Sequence, residues 1–243
     1  MKRRNAFTLT ELLVVIPVIA LVGTLLLASL GDSKQTVQAA ACLNNMRQWG
    51  LALGLYSNDY QDLMPYEGDS QGAEIDQSFN LTAWYNVLPP YMNQTPLKNL
   101  YAANQVPLPG SRSIFTCPSS PNITYSPNMA NPYFSYAMDR LETGQSGSLY
   151  PRSKAALPGQ VIFLSESENN SYSFTDGYYL GTNAFPSVPP RHLGGMNFVF
   201  VDGHAQWFSQ KDYSRTSVEA SDPAVEWQKP RALYWYPCKT CSK

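Results

Sequence analysis

The first thirty residues constrain this chain most. A basic stub, Met1-Lys2-Arg3-Arg4-Asn5-Ala6, runs directly into Phe7-Thr8-Leu9-Thr10-Glu11-Leu12-Leu13-Val14-Val15-Ile16. The sequence then stays apolar to Leu30, with Glu11 as its one acidic residue. A secretory signal has an apolar core of about 7–15 residues; the core over residues 12–30 is longer. At ~1.5 Å per helical residue it extends ~28 Å, close to the ~30 Å hydrocarbon layer of a bilayer. Lys2, Arg3 and Arg4 precede it and Asp32 follows. The positive-inside rule then predicts a cytoplasmic N-terminus and an exported remainder. A carboxylate at mid-bilayer costs roughly 2.5–3.5 kcal/mol on insertion scales, so Glu11 is a candidate functional residue. It lies four positions beyond Phe7, on the same helical face, where its charge offsets the helix dipole. Pro17 removes one backbone donor inside the span, and Gly23 is a second weak point.

The helical pattern continues beyond Leu30. Ala39, Cys42, Met46, Trp49, Leu53, Tyr56 and Tyr60 recur at spacings of three and four, with polar residues between them. That is one apolar stripe on an amphipathic helix, ending before Pro65 and Gly68. The stripe predicts a seat for the chain's own globular head.

In the head, residues 67–80 and 93–113 read as loops. Trp84-Tyr85-Asn86-Val87-Leu88 reads as a short helix stopped by Pro89-Pro90. Strands are expected at Ser113-Ile114-Phe115-Thr116-Cys117 and at Gln160-Val161-Ile162-Phe163-Leu164-Ser165. A hairpin is expected where Asn197-Phe198-Val199-Phe200-Val201 and His204-Ala205-Gln206-Trp207-Phe208 flank Asp202-Gly203, a turn with positive φ at both central residues. Trp227, Trp235 and Tyr236 suggest a tail that packs back onto the head. The expected fold class is α+β: a long N-terminal helix packed against a small antiparallel sheet.

Composition suits an exported head. Charged residues make up 14% of the chain, against ~25% in ordinary soluble domains. The net charge is −1, and without a basic patch nucleic acid is not an expected partner. His192, Asp202 and His204 are candidates for turn geometry, a partner site or a metal site. Two histidines fall short of the three or four protein ligands usual for a transition metal. Glu166, Glu168 and Asp176-Gly177 supply oxygen ligands but no recognisable calcium loop. Ser165 lacks a nucleophile motif, so catalytic residues and cofactors are not expected. Four cysteines fit an oxidising compartment and allow three pairings. The favoured pairing is Cys42–Cys117, tying helix to sheet, with Cys238–Cys241 as a small tail loop. A buried free thiol at Cys42 and a redox or zinc half-site at Cys238-Lys239-Thr240-Cys241 are the alternatives.

Two resemblances sharpen this reading. The segment Ala6-Phe7-Thr8-Leu9-Thr10-Glu11-Leu12-Leu13-Val14-Val15-Ile16 resembles the cleavage-and-methylation segment of type IV prepilins and type II secretion pseudopilins. The resemblance implies cleavage by a prepilin peptidase between Ala6 and Phe7 and N-methylation of Phe7. It also implies filament assembly in which Glu11 neutralises the Phe7 amine of a neighbouring subunit, beside which a salt bridge to the chain's own Phe7 amine stays open. Ala6 stands where that family usually has Gly, and Pro17 lies earlier than the family's usual proline. Some heads of this family bind calcium. His192, nine residues, then Asp202-Gly203 resembles the His-x9-Asp-Gly motif of prepilin-like proteins with a DUF1559-type domain. Cys42-Leu43-Asn44-Asn45-Met46-Arg47-Gln48 and Phe115-Thr116-Cys117-Pro118 are similar to landmarks of that group.

The implied organisation is a leader over residues 1–6, a transmembrane helical half over 7–30, an amphipathic half over 31–62 and an exported α+β head over 63–243. The implied protein is a non-enzymatic subunit of the bacterial cytoplasmic membrane. Its head would face the periplasm or exterior, and its partners would be the prepilin peptidase, the membrane and other pilin-like subunits. It would serve a secretion pseudopilus or a pilus. The alternative is a membrane-anchored envelope module, for example carbohydrate-binding, that presents aromatic residues around Trp84 and Tyr178-Tyr179.

Overall fold

The computed structural model describes residues 8–68, 74–120, 127–130, 132–139, 150–170, 174–175 and 190–241, with backbone alone at 25–32, 79, 168–170 and 174–175. Ala6, Phe7, Asp176, Gly177, Tyr178 and Tyr179 lie outside the described residues, as does the side chain of Glu168. The chain divides into two compact units, Met1–Gln38 and Ala39–Lys243.

Helix α1 (Leu9–Asp59) is 51 residues long and carries Pro17 in its interior. In the first unit its side chains from Leu9 to Val22 are largely exposed, including Leu9, Leu13, Ile16, Ile19 and Leu21. Among the described residues, no helix is long and apolar enough to cross a membrane. The span expected over residues 7–30 is therefore not found in that form. The side chains described in this stretch are those of residues 9–24. Residues 25–30 continue the apolar sequence as helical backbone.

In the second unit the predicted stripe is the buried face of α1. Cys42, Met46, Trp49, Leu53 and Tyr56 are all at most 2% exposed. Tyr60, just past the helix end, is exposed and stacks on Tyr56 with ring centroids 4.3 Å apart. Against this face lies a sheet of β1 (Phe134–Asp139), β2 (Ile162–Asn170), β3 (Phe174–Thr175), β4 (Gly195–Phe200) and β5 (Ala205–Ser209). Its order is β3-β1-β2-β4-β5. Strands β1, β2, β4 and β5 are antiparallel neighbours, and two-residue β3 pairs parallel with β1 at one edge. The fold is thus α+β with a four-stranded antiparallel sheet.

The sheet is covered on both faces. Trp49, Leu53, Phe163, Val199 and Val201 belong to one apolar cluster with the helix stripe. Ile162, Met196, Phe198 and Phe200 form a second cluster with Tyr213, Leu233 and Trp235. The tail supplies α4 (Gln210–Tyr213), α5 (Ser217–Ser221) and α6 (Pro223–Glu226). Buried Glu226 anchors its end, accepting the amides of Trp235 and Tyr236 at 3.1 and 2.9 Å.

Residues 113–117 form a turn where a strand was expected. Their apolar side chains are buried, but side chains of α1 take their carbonyls. Asn45 Nδ2 donates to Ser113 O and Thr116 O, and Trp49 Nε1 donates to Ile114 O at 3.1 Å. Residues 93–113 likewise contain α3 (Leu97–Ala102). The predicted short helix is present as α2 (Trp84–Val87), followed by a 3-10 turn at Pro89–Met92.

Candidate functional site

Helix α1 opens with a reciprocal cap. The Thr8 hydroxyl and amide donate to Glu11 Oε2 at 2.7 and 2.8 Å, and the Glu11 amide donates to Thr8 Oγ1 at 3.3 Å. This is a capping box, which satisfies helix-end donors that have no intrahelical partner. The acidic residue singled out in the sequence therefore has a partner within its own chain. The Phe7 amine lies outside the described residues.

The hairpin joining β4 and β5 differs in detail from the expected two-residue turn. Gly203 has φ +95°, whereas Asp202 is not among the residues with positive φ. The Gly203 amide donates to Phe200 O at 2.8 Å and the Phe200 amide to His204 O at 2.9 Å. The loop is therefore three residues, Val201-Asp202-Gly203, the pattern of a turn followed by a glycine bulge. Val201, inside the loop closed by Phe200 and His204, turns its amide the other way, to Val161 O at 3.0 Å.

His192, Asp202 and His204 do not form one site. Asp202 and His204 pair with each other at 2.6 Å, both about 40% exposed, and the His204 ring stacks on Phe200. His192 lies beyond the opposite end of β4, a strand ~20 Å long at ~3.3 Å per residue. Its backbone exchanges two hydrogen bonds with Gly195, at 2.8 and 2.9 Å, around a turn with φ +51° at Leu193 and +77° at Gly194. Trp207 Nε1 closes over this turn and donates to His192 O at 2.8 Å. Gly195 admits the indole: a Cβ there would stand 2.6 Å from Trp207 Cζ2.

The His192 side chain points into a different group. Its Nε2 lies 2.7 Å from Glu166 Oε1 and 3.4 Å from Cys117 Sγ. Cys117 is disulfide-bonded to Cys42 on α1. Asn197 holds the carboxylate through its amide and its Nδ2, each at 3.1 Å. One ligand atom from each of Cys42, Cys117, Glu166 and His192 lies within 4.8 Å of the others, and all four residues are buried. Arg191 brings a cation nearby, donating to Ser135 O and Ser167 O. Burial pushes the Tyr136 hydroxyl well above its ordinary range, and the Glu166 carboxylate adds to that shift. With the sulfurs joined, this cluster is a clasp between helix, turn and sheet. From the sequence Glu166 is only a candidate oxygen ligand for calcium; a bulge between Ile162 and Leu164 shifts the alternation of β2, so strand periodicity alone does not place its side chain on the helix-facing side.

Cys238 and Cys241 form a second disulfide in the tail. Ser165 is fully buried, and its neighbour Glu166 points to the other face of the strand. An open groove of about 570 Å³ beside residues 202–203 is lined by Gln48, Gly50, Leu51, Gly54 and Leu55 of α1 with Tyr91 and Met92. Trp84 is fully buried, its ring 5.0 Å from that of Trp49. Trp84 therefore presents no exposed aromatic face.

Comparison of the chain with models of known protein families, with characterised proteins and with solved structures finds no match.

Proposed function

We propose that this chain is a structural, pilin-like subunit rather than an enzyme. A prepilin peptidase cuts between Ala6 and Phe7 and methylates Phe7. The processed chain rests in the cytoplasmic membrane through its first helical half, and joins other pilin-like subunits in a type II secretion pseudopilus or type IV pilus-like filament. One observation carries the reading. Helix α1 begins with a row of exposed apolar side chains, Leu9, Leu12, Leu13, Ile16 and Ile19, and ends in a stripe buried by its own head. Exposed apolar surface of that extent calls for a lipid or protein cover. Lipid covers it in the stored subunit and neighbouring helices in the filament, while the head faces the exported side.

Glu11 supports the same reading. Thr8 engages its carboxylate locally, and assembly exchanges that partner for a neighbouring subunit's terminal amine, since a buried charge needs a partner. The test is the intact mass and N-terminal peptide of the protein made in cells with a prepilin peptidase. A chain starting at methylated Phe7 is expected; one starting at Met1 or near residues 29–31 overturns the proposal. Glu11→Ala is expected to be processed yet absent from filaments. Thr8→Ala, which removes only the local cap, is expected to assemble.

A further inference from the structure

We propose that the reduced form of this chain binds one Zn2+ through Cys42, Cys117, His192 and Glu166, so that metal and disulfide are alternative closures of the same clasp. The proposal does not depend on the filament reading. Two thiolates, an imidazole and a carboxylate are a donor set suited to zinc, whereas calcium and magnesium take oxygen ligands. The four ligand atoms converge from α1, the turn at 113–117, β2 and the segment before β4, all within 4.8 Å of one another. Zinc bonds of ~2.0–2.3 Å place tetrahedral donors ~3.3–3.8 Å apart. His192 Nε2 and Cys117 Sγ are already 3.4 Å apart, and Nε2 and Glu166 Oε1 need to spread from 2.7 Å.

The supporting groups are also present. Asn197 orients the carboxylate with two hydrogen bonds, the kind of outer contact that tunes metal sites. The His192 backbone is held by Gly195 and Trp207. Two thiolates and a carboxylate exceed the charge of Zn2+ by one, and the Arg191 guanidinium beside the cluster offsets the excess.

The chemistry balances as follows. A phosphine reductant and one water break the S–S bond, giving two thiols and the phosphine oxide. Zn2+ then displaces the two thiol protons and the proton shared by His192 Nε2 and Glu166 Oε1, the thiol protons leaving to solvent and the shared proton exchanging through solvent to Nδ1. The imidazole binds as the neutral ring with its proton on Nδ1. Reoxidation by a disulfide-class oxidant withdraws two electrons from the thiolates, reforms the S–S bond and releases the metal.

The test uses the full chain, reduced with phosphine under anaerobic conditions and equilibrated with Zn2+ alone. The expected result is one zinc per reduced chain, an X-ray absorption shell of two sulfurs and two lighter atoms, and no retained zinc in the oxidised chain. On the unaltered chain, zinc is expected to protect Cys42 and Cys117 from iodoacetamide while Cys238 and Cys241 are alkylated. Cys238→Ser with Cys241→Ser should keep the site, and Cys42→Ser with Cys117→Ser should lose it. Asn197→Ala leaves all four donors and should weaken zinc binding roughly 10–100-fold. Zinc uptake confined to the tail cysteines, equal uptake by the oxidised chain, or alkylation of Cys42 and Cys117 in the presence of zinc overturns the proposal.

Discussion

Gly50 of helix α1 and Gly203 of the hairpin turn meet backbone to backbone. A Cβ on Gly50 would stand 1.9 Å from Gly203 O, and a Cβ on Gly203 would stand 2.9 Å from Gly50 O. Gly203 also has φ +95°, so it serves both the turn and the helix approach. Gly203 is thus where the hairpin touches the helix.

Gly50→Ala should therefore cost about 1–3 kcal/mol, the usual penalty for overpacking a close contact. Gly54, one turn on, has open space where its Cβ would lie. Gly54→Ala should stabilise by about 0.5–1 kcal/mol, because Ala is the better helix former. Urea unfolding of the two variants should shift the midpoint in opposite directions. A matching loss in both would refute the backbone contact.

Leu193 is 72% exposed and has φ +51°. A left-handed leucine costs roughly 1–2 kcal/mol, and here no buried packing repays it. Leu193→Asn suits the turn, which carries positive φ at both central residues. It should raise stability by about 1 kcal/mol, read from the unfolding midpoint at unchanged slope.

The two disulfides should differ in worth. Cys42–Cys117 closes a separation of 75 residues and Cys238–Cys241 one of 3. Loop entropy then favours the first by its length, ~4.5 kcal/mol against ~1.6 kcal/mol. Paired Ser substitutions measured by chemical denaturation should reproduce that order. A larger loss at the tail would contradict it.

Two carboxylates should shape the pH profile in opposite senses. Hydrogen bonds from the Ser153 hydroxyl and amide hold Asp62 below its ordinary range. Its stabilisation is present above the unfolded carboxylate pKa and is lost as pH falls through the folded value. Burial raises Glu226 despite Arg215 and the Trp235 and Tyr236 amides. Its contribution is complete below the unfolded carboxylate pKa and declines as pH rises through the raised folded value. Asp62→Asn should flatten the acid limb of stability, and Glu226→Gln should flatten a decline toward neutral pH. Unfolding midpoints across that range, compared as slopes, decide both.

Periodicity made the buried face of α1 legible from Cys42 to Tyr56, because side chains three and four apart share a helix face whatever packs there. The β4–β5 hairpin was legible from its flanking apolar runs, although its loop takes in Val201. Strand β1 was not: all six of its residues are buried, so alternation, the strand signal, is absent. The turn at 113–117 looked like a strand because its apolar residues are buried, yet Asn45 and Trp49 claim its carbonyls. The helix at 97–102 was hidden in a stretch rich in proline and asparagine.

The sequence by itself determined a long apolar-to-amphipathic helix, the helix face that the head buries and the position of the hairpin turn. These follow from local periodicity and turn chemistry, which act over a few residues. Only the tertiary structure decided that His192 turns away from Asp202 to meet Glu166 and the Cys42–Cys117 bond. Those groups come from distant points in the chain, and burial brings them together because polar groups removed from water must find partners in one another.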